Sequence, residues 1–85
     1  MNLVELTESI VLSLVKDKES VTVKEFASDE EGTILIQVMI AESDMGRVIG
    51  KEGKCAKALK TLVQASSYLK DNKKVKINID SYNNI

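Results

Sequence analysis

The residues best suited to do chemistry in this chain lie together in Gly46-Arg47-Val48-Ile49-Gly50-Lys51-Glu52-Gly53-Lys54, where a Gly-x-x-Gly turn is set among three cations. Glycines at both ends of such a turn permit backbone angles and a closeness of approach that a β-carbon forbids. A helix beginning at the second glycine presents unpaired N–H groups to an anion. The chemistry is therefore anion binding. Two phosphate loops fail on spacing. A P-loop needs four residues between its glycines before Gly-Lys-Ser/Thr, whereas three separate Gly46 from Gly50, and Glu52 stands where the hydroxyl should be. The dinucleotide fingerprint fails too, because Gly46, Gly50 and Gly53 are spaced by three and two residues and follow a helical rather than a strand pattern.

Catalysis has little to work with. The chain has no histidine, and Cys55 is its one cysteine. No zinc site, Ser-His pair or Cys-His pair can be assembled, and no disulfide can form within the chain. Carboxylates alone remain as acid and base. An 85-residue domain has little room beside its core for a closed pocket of several hundred Å³. The expectation is a non-enzyme with no cofactor and no metal. A lone thiol suits a reducing compartment. No apolar run approaches the roughly 18 residues of a membrane span, and Met1-Asn2-Leu3-Val4-Glu5 lacks the cationic start of a signal peptide, so the expected location is cytoplasmic.

Twelve cations and thirteen acids leave a net charge of −1, but the charges are sorted along the chain. Residues 1–44 hold three cations and ten acids, net −7; residues 45–76 hold nine cations and two acids, net +7; Asp80 completes the total. Lys and Arg gathered in this way suit a polyanion, since neutralising phosphates releases condensed counterions. Lysines also solvate the outer face of many helices with no ligand involved.

The elements that must position the loop follow from periodicity. Residues 3–16 predict an amphipathic helix with Leu3, Leu6, Ile10 and Leu14 on one face, flanked by Val4, Val11 and Val15. Val21-Thr22-Val23 begins a strand, the polar turn at 28–32 closes on Gly32, and Thr33 to Ile40 forms the second strand of a hairpin. Ile34, Ile36, Val38 and Ile40 face the helices, while Leu35, Gln37 and Met39 face away. Ser43 or Asp44 caps a short helix over 45–49 that breaks at Gly50. A longer helix from about Gly53 to Leu69 turns Cys55, Ala56, Leu59, Leu62, Val63, Ser66 and Leu69 inward, with Lys57, Lys60, Gln64 and Tyr68 opposite. After the polar loop 71–74, Val75, Ile77 and Ile79 alternate inward along a last strand, and 81–85 reads as a fraying tail. The order αββααβ is α+β. A crossover of about thirty residues makes the last two strands parallel, giving a three-stranded mixed sheet with three helices on one face.

The run from Asp44 to Gly53, set between a strand and a helix in that order, resembles the KH-domain signature. The chain, as one domain over 1–85 with its core at about 2–80, is similar to a type II (prokaryotic) KH domain standing alone, like the small bacterial single-KH RNA-binding proteins of the KhpA type. The resemblance implies a groove for about four single-stranded nucleotides, with the Gly-x-x-Gly backbone against the phosphates and an apolar floor under the bases. By position, Gly50, Lys51, Glu52 and Gly53 form the clamp, Arg47 and Lys54 flank it, and Lys57 and Lys60 extend the positive surface. Ile49, Ala56 and Leu59 are candidates for the groove wall, and Asp71 to Lys74 occupies the variable-loop position. Glu52 departs from what a phosphate clamp wants and is expected to point outward and cap the helix. Only Phe26, Tyr68 and Tyr82 are aromatic, so stacking is scarce and binding should be weak and of low sequence specificity. The resemblance further implies an RNA chaperone or post-transcriptional regulator, a homodimer or a heterodimer with a larger KH-containing Jag-type protein, and a link to cell-wall biogenesis and cell shape. The competing expectation is a protein-interaction module on the same scaffold, with incidental RNA contact, motivated by Leu12, Leu35, Met39 and Tyr68.

Overall fold

A computed structural model describes residues 2–82. Helix α1 runs over Leu3–Leu14, opened by a reciprocal cap in which the Asn2 side chain accepts from the Glu5 N–H at 2.8 Å and the Asn2 N–H donates to Glu5 Oε1 at 3.2 Å. The helix stops two residues earlier than its hydrophobic pattern predicts. The Lys16 and Asp17 N–H groups, which a continuing helix would use internally, instead donate to the two oxygens of Asp44, both at 3.0 Å. Its buried line is also not the expected one. Leu3, Thr7, Val11 and Val15 are buried, while Leu6, Ile10 and Leu14 are half-buried at the flanks. Thr7 tolerates the core because its hydroxyl donates to the Leu3 carbonyl at 2.7 Å.

Strands β1 (Thr22–Ala27) and β2 (Thr33–Ile40) pair antiparallel, with Val23 opposite Val38 and Phe26 opposite Leu35. Strand β3 (Lys74–Ser81) lies parallel to β2 on its other side, so the order is β1-β2-β3. The central strand supplies Ile34, Ile36, Val38 and Ile40 to the core, with the last three fully buried. Helices α2 (Met45–Ile49) and α3 (Lys54–Lys70) complete the layer over that face. This is the α+β arrangement of a type II KH fold: a mixed three-stranded sheet with three helices against one side. Strand β3 reaches further than expected. Ser81 is buried within it, the Tyr82 N–H donates to the Ile40 carbonyl at 3.3 Å, and only 83–85 of the expected tail fall outside the described residues.

On α3 the inward line is Ala56, Leu59, Val63 and Ser67. Leu62 and Leu69, expected inside, are 57% and 87% exposed. Seventeen helical residues carry more apolar side chains than one helix–sheet contact can cover, and these two fall outside it. Cys55 is likewise only half-buried, at the edge of the core rather than inside it.

Candidate nucleic-acid interface

The glycine loop is a double reversal of the chain between α2 and α3. Gly50 ends α2 at φ 76° and ψ 176°, with its N–H on the Gly46 carbonyl at 2.9 Å. One turn of 3-10 helix follows over Lys51–Gly53, closed by the Gly53 N–H on the Gly50 carbonyl at 3.2 Å. Gly53 then opens α3 at φ 75°. Gly50 is required for space as well as conformation, because a β-carbon there would stand 2.6 Å from Cys55 Cβ and 3.0 Å from its backbone nitrogen. The half-buried cysteine is thus the surface on which the loop folds back. Between the glycines, Glu52 itself adopts φ 57°. Its side chain is exposed and caps nothing: the N-cap of α3 is Gly53, with no side-chain hydrogen bond.

Beyond the loop, one flank of α3 and the edge strand β3 enclose an open cleft of about 440 Å³ lined by Lys57, Lys60, Thr61, Gln64, Ala65, Tyr68 and Val75. From Gly53 to Gln64 the helix rises about 16 Å, with Lys57 and Lys60 standing along that length between the loop and the far end of the cleft. Gln64 fixes the far end. Its amide nitrogen donates to the Lys73 carbonyl at 3.0 Å, its amide oxygen accepts from the Val75 N–H at 2.9 Å, and the Ser67 hydroxyl donates to the Lys73 carbonyl at 2.7 Å. The segment expected to act as a variable loop is therefore a tight turn, with Asn72 at φ 53°. Gln64, Thr61 and Val75 were not singled out as site residues from the sequence. The outward position of Gln64 was legible; the edge-strand side chain it faces was not.

Each expected contributor has a definite place. Lys51, Glu52 and Lys54 are exposed on the loop and the first turn of α3, and Lys57 and Lys60 line the cleft. None of Lys51, Lys54, Lys57 and Lys60 is held in an ion pair among the described residues. Ile49 is half-buried beside Gly50. Ala56 and Leu59, expected as groove wall, are core residues at 7% and 2% exposure and cannot touch a ligand. Arg47 is already engaged, with its Nε 3.3 Å from Asp44 Oδ1.

Asp44 organises this end of the molecule. It occupies the N-cap of α2 without capping it. Its carboxylate, 1% exposed, instead reaches across to the end of α1. The Lys16 N–H and the Asp17 N–H hold its pKa below the ordinary 3.8, with Arg47 adding to the effect and burial opposing it. At the other end of the sheet, Lys76 Nζ donates to Glu30 Oε1 at 2.8 Å and lowers that carboxyl as well.

Fold and loop together define a class: a KH domain of type II, with the glycine loop placed between α2 and α3. The family model described as "KhpA/KhpB, KH domain" matches residues 4–79, and the chain belongs to that family. It is 44% identical over 75 residues to the RNA-binding protein KhpA of Clostridium perfringens, covering 88% of this chain and 96% of that one. The KhpA of Thermotoga maritima is 41% identical over 75 residues, covering 88% and 95%. Among solved structures, Aquifex aeolicus Era bound to GDP·AlF4⁻ superposes with a TM-score of 0.68 at 16% identity, over 96% of this chain and 31% of that one. Era in complex with MgGDPNP and a 16S ribosomal RNA fragment gives 0.66 at 17%, over 93% and 29%. Those two likenesses are of fold.

Proposed function

We propose that this chain is a non-enzymatic cytoplasmic RNA-binding protein that holds short single-stranded RNA between the Gly50–Gly53 loop and the cleft of α3 and β3. The observation that carries this reading is the row Lys51, Lys54, Lys57 and Lys60, exposed and in no ion pair among the described residues, running from a positive-φ glycine turn into an open cleft. Free ammonium groups at helical spacing meet successive phosphates, and a turn bounded by glycines without β-carbons lets a sugar-phosphate backbone approach closely. The names of the KhpA relatives, each an RNA-binding protein, support it. Within the cleft Tyr68 is the sole aromatic ring, so affinity is modest and mostly electrostatic, as suits an RNA chaperone or post-transcriptional regulator that must release its ligand. The family resemblance extends the role to cell-wall biogenesis and cell shape, with a larger KH-containing Jag-type protein as heterodimer partner.

Pairing would also serve a weak site, because two linked clefts gain by effective concentration. A surface for a homodimer is present on α3. Ala58, Leu62, Ala65 and Leu69 are all exposed and follow the four-three-four spacing of a helix seam. Leu62 lies about 160° around the helix from Lys60 and Gln64, and of the stripe Ala65 alone also lines the cleft, so self-association centred on Leu62 leaves the lysine side of the cleft open. The same stripe favours the second reading, a protein-interaction module, if RNA binding fails.

Fluorescence anisotropy with labelled single-stranded RNA tests the assignment, using wild type and the double substitution Lys51→Asp with Glu52→Asp after circular dichroism shows both folded. Loss of most of the affinity in the variant, with weakening of the wild type as salt rises, is the expected result. Equal binding by both places the contact elsewhere, and no binding by the wild type leaves the interaction module.

A further inference from the structure

The side of the sheet turned away from the helices carries a second concavity, of about 330 Å³, lined by Thr22, Lys24, Phe26, Gln37, Met39 and Tyr82. Two of the three aromatic side chains in the chain stand there, Phe26 49% and Tyr82 46% exposed. Strand register fixes the arrangement. Phe26 lies opposite Leu35, Lys24 opposite Gln37 and Thr22 opposite Met39, while Gln37 pairs across to Asn78 on β3. The Tyr82 hydroxyl donates to Thr22 Oγ1 at 2.5 Å and pins that ring at the edge of the hollow. On the floor, Gln37 Oε1 accepts from Asn78 Nδ2 at 2.9 Å, whereas Gln37 Nε2 donates at 3.4 Å to Met39 Sδ and, at the same distance but long for an oxygen acceptor, to the Val38 carbonyl. The long contact to the carbonyl is the weaker of the two and can be exchanged for a better-placed acceptor on an incoming group.

Two exposed rings, a thioether and an amide with an exchangeable donor form a surface for a flat heteroaromatic, and the charges around it name the rest of the ligand. Lys24 stands beside the rings in no ion pair among the described residues, and Lys74 and Lys76 project from the same face of β3. Asp80 is the one acid in those strand positions, and Glu30 engages Lys76. A second copy of this face would oppose lysine to lysine, and an aliphatic peptide would leave the amide and Lys24 without a use.

We propose that the outer face of the sheet is a second contact for single-stranded RNA, in which a base stacks against Phe26 and Tyr82 while Lys24 meets its phosphate. The proposal rests on the RNA-binding reading above and extends it. Continuity with the cleft comes from β3, which sends Val75 into the cleft and Lys74 and Lys76 outward. Two strand spacings, about 10 Å, separate β3 from the β1 residues of the hollow. RNA longer than the cleft can hold thus has a path around the sheet edge past Lys74, beside the Lys76–Glu30 pair, to Lys24.

The test compares a tetranucleotide, which fills the cleft alone, with a decanucleotide, using wild type, Phe26→Ala and Lys24→Glu. Circular dichroism and sedimentation controls accompany each, and a 5-iodouridine decamer is photocrosslinked to the wild type. Expected are an affinity loss of roughly tenfold for the decamer in Phe26→Ala, a loss also in Lys24→Glu, little change for the tetramer, and crosslinks at Phe26 or Tyr82. Unchanged decamer binding in both variants, with crosslinks confined to the loop and α3, overturns the second contact and leaves the cleft assignment standing. A variant that alters sedimentation but not RNA affinity makes this face a protein contact and overturns the proposal. If wild type binds neither oligonucleotide, the RNA-binding reading fails first and this proposal fails with it.

Discussion

Gly50 and Gly53 share a positive φ, yet their surroundings differ. Gly50 lacks room for a β-carbon against Cys55, whereas nothing lies within 4 Å of one at Gly53. Gly50→Ala should therefore cost about 2–4 kcal/mol from strain plus overlap, and Gly53→Ala about 1 kcal/mol from backbone conformation alone; urea denaturation of the two variants checks the order. Glu52 adopts the same half of conformational space without being glycine, and its carboxylate sits beside the lysines of the loop. Glu52→Gly should leave stability within about 1 kcal/mol of wild type while raising RNA affinity a few-fold, read by anisotropy at low salt. The glycine spacing announced the loop from the sequence, because only glycine tolerates such geometry without help. That Cys55 is what makes Gly50 irreplaceable was not legible, since the contact arises from the path of the chain back onto α3.

Between elements, Asp44 joins the end of α1 to α2 and to Arg47. Its folded pKa is lowered, so the stabilisation it gives is fully present above its ordinary 3.8 and is lost as pH falls through the folded value. Glu30, lowered by Lys76, follows the same sign from its ordinary 4.5, weakly because the pair is exposed to solvent. Thermal unfolding should be insensitive to these groups between about pH 5 and 8 and should drop at more acid pH. Asp44→Asn should lower the midpoint at neutral pH and flatten the acid limb. Helix α3 carries a different kind of prediction. Because Leu62 is exposed, Leu62→Lys should shift monomer stability by no more than about 0.5 kcal/mol yet abolish the self-association proposed for this stripe, read by sedimentation equilibrium. Periodicity identified each of these helices, but not which apolar residues would be covered. Helix α1 offers Leu3, Val4, Leu6, Ile10, Val11, Leu14 and Val15 around a wide arc, and the buried line through Thr7 was chosen by the neighbours it packs on.

For the whole molecule, the net charge of −1 predicts nothing about RNA, whereas the local row of four free lysines predicts a salt dependence. If those lysines neutralise about four phosphates, log affinity should fall with log salt at a slope near −3 for a single strand, and Lys57→Gln should reduce the slope by about 0.7. A salt titration of wild type and variant measures both. The element order, the parallel pairing of β2 with β3 and the position of the glycine loop followed from the sequence alone. They depend on local rules, namely the period of apolar residues, the tolerance of glycine and the handedness of a crossover. Tertiary structure alone decided that Ala56 and Leu59 are core, that Val75 and Gln64 complete the cleft, that Arg47 is tied to Asp44, and that Phe26 and Tyr82 line one hollow on the open side of the sheet. Each of these depends on which distant segment arrives beside a residue, and residues 56 apart in the chain carry no local signal that they will line one hollow.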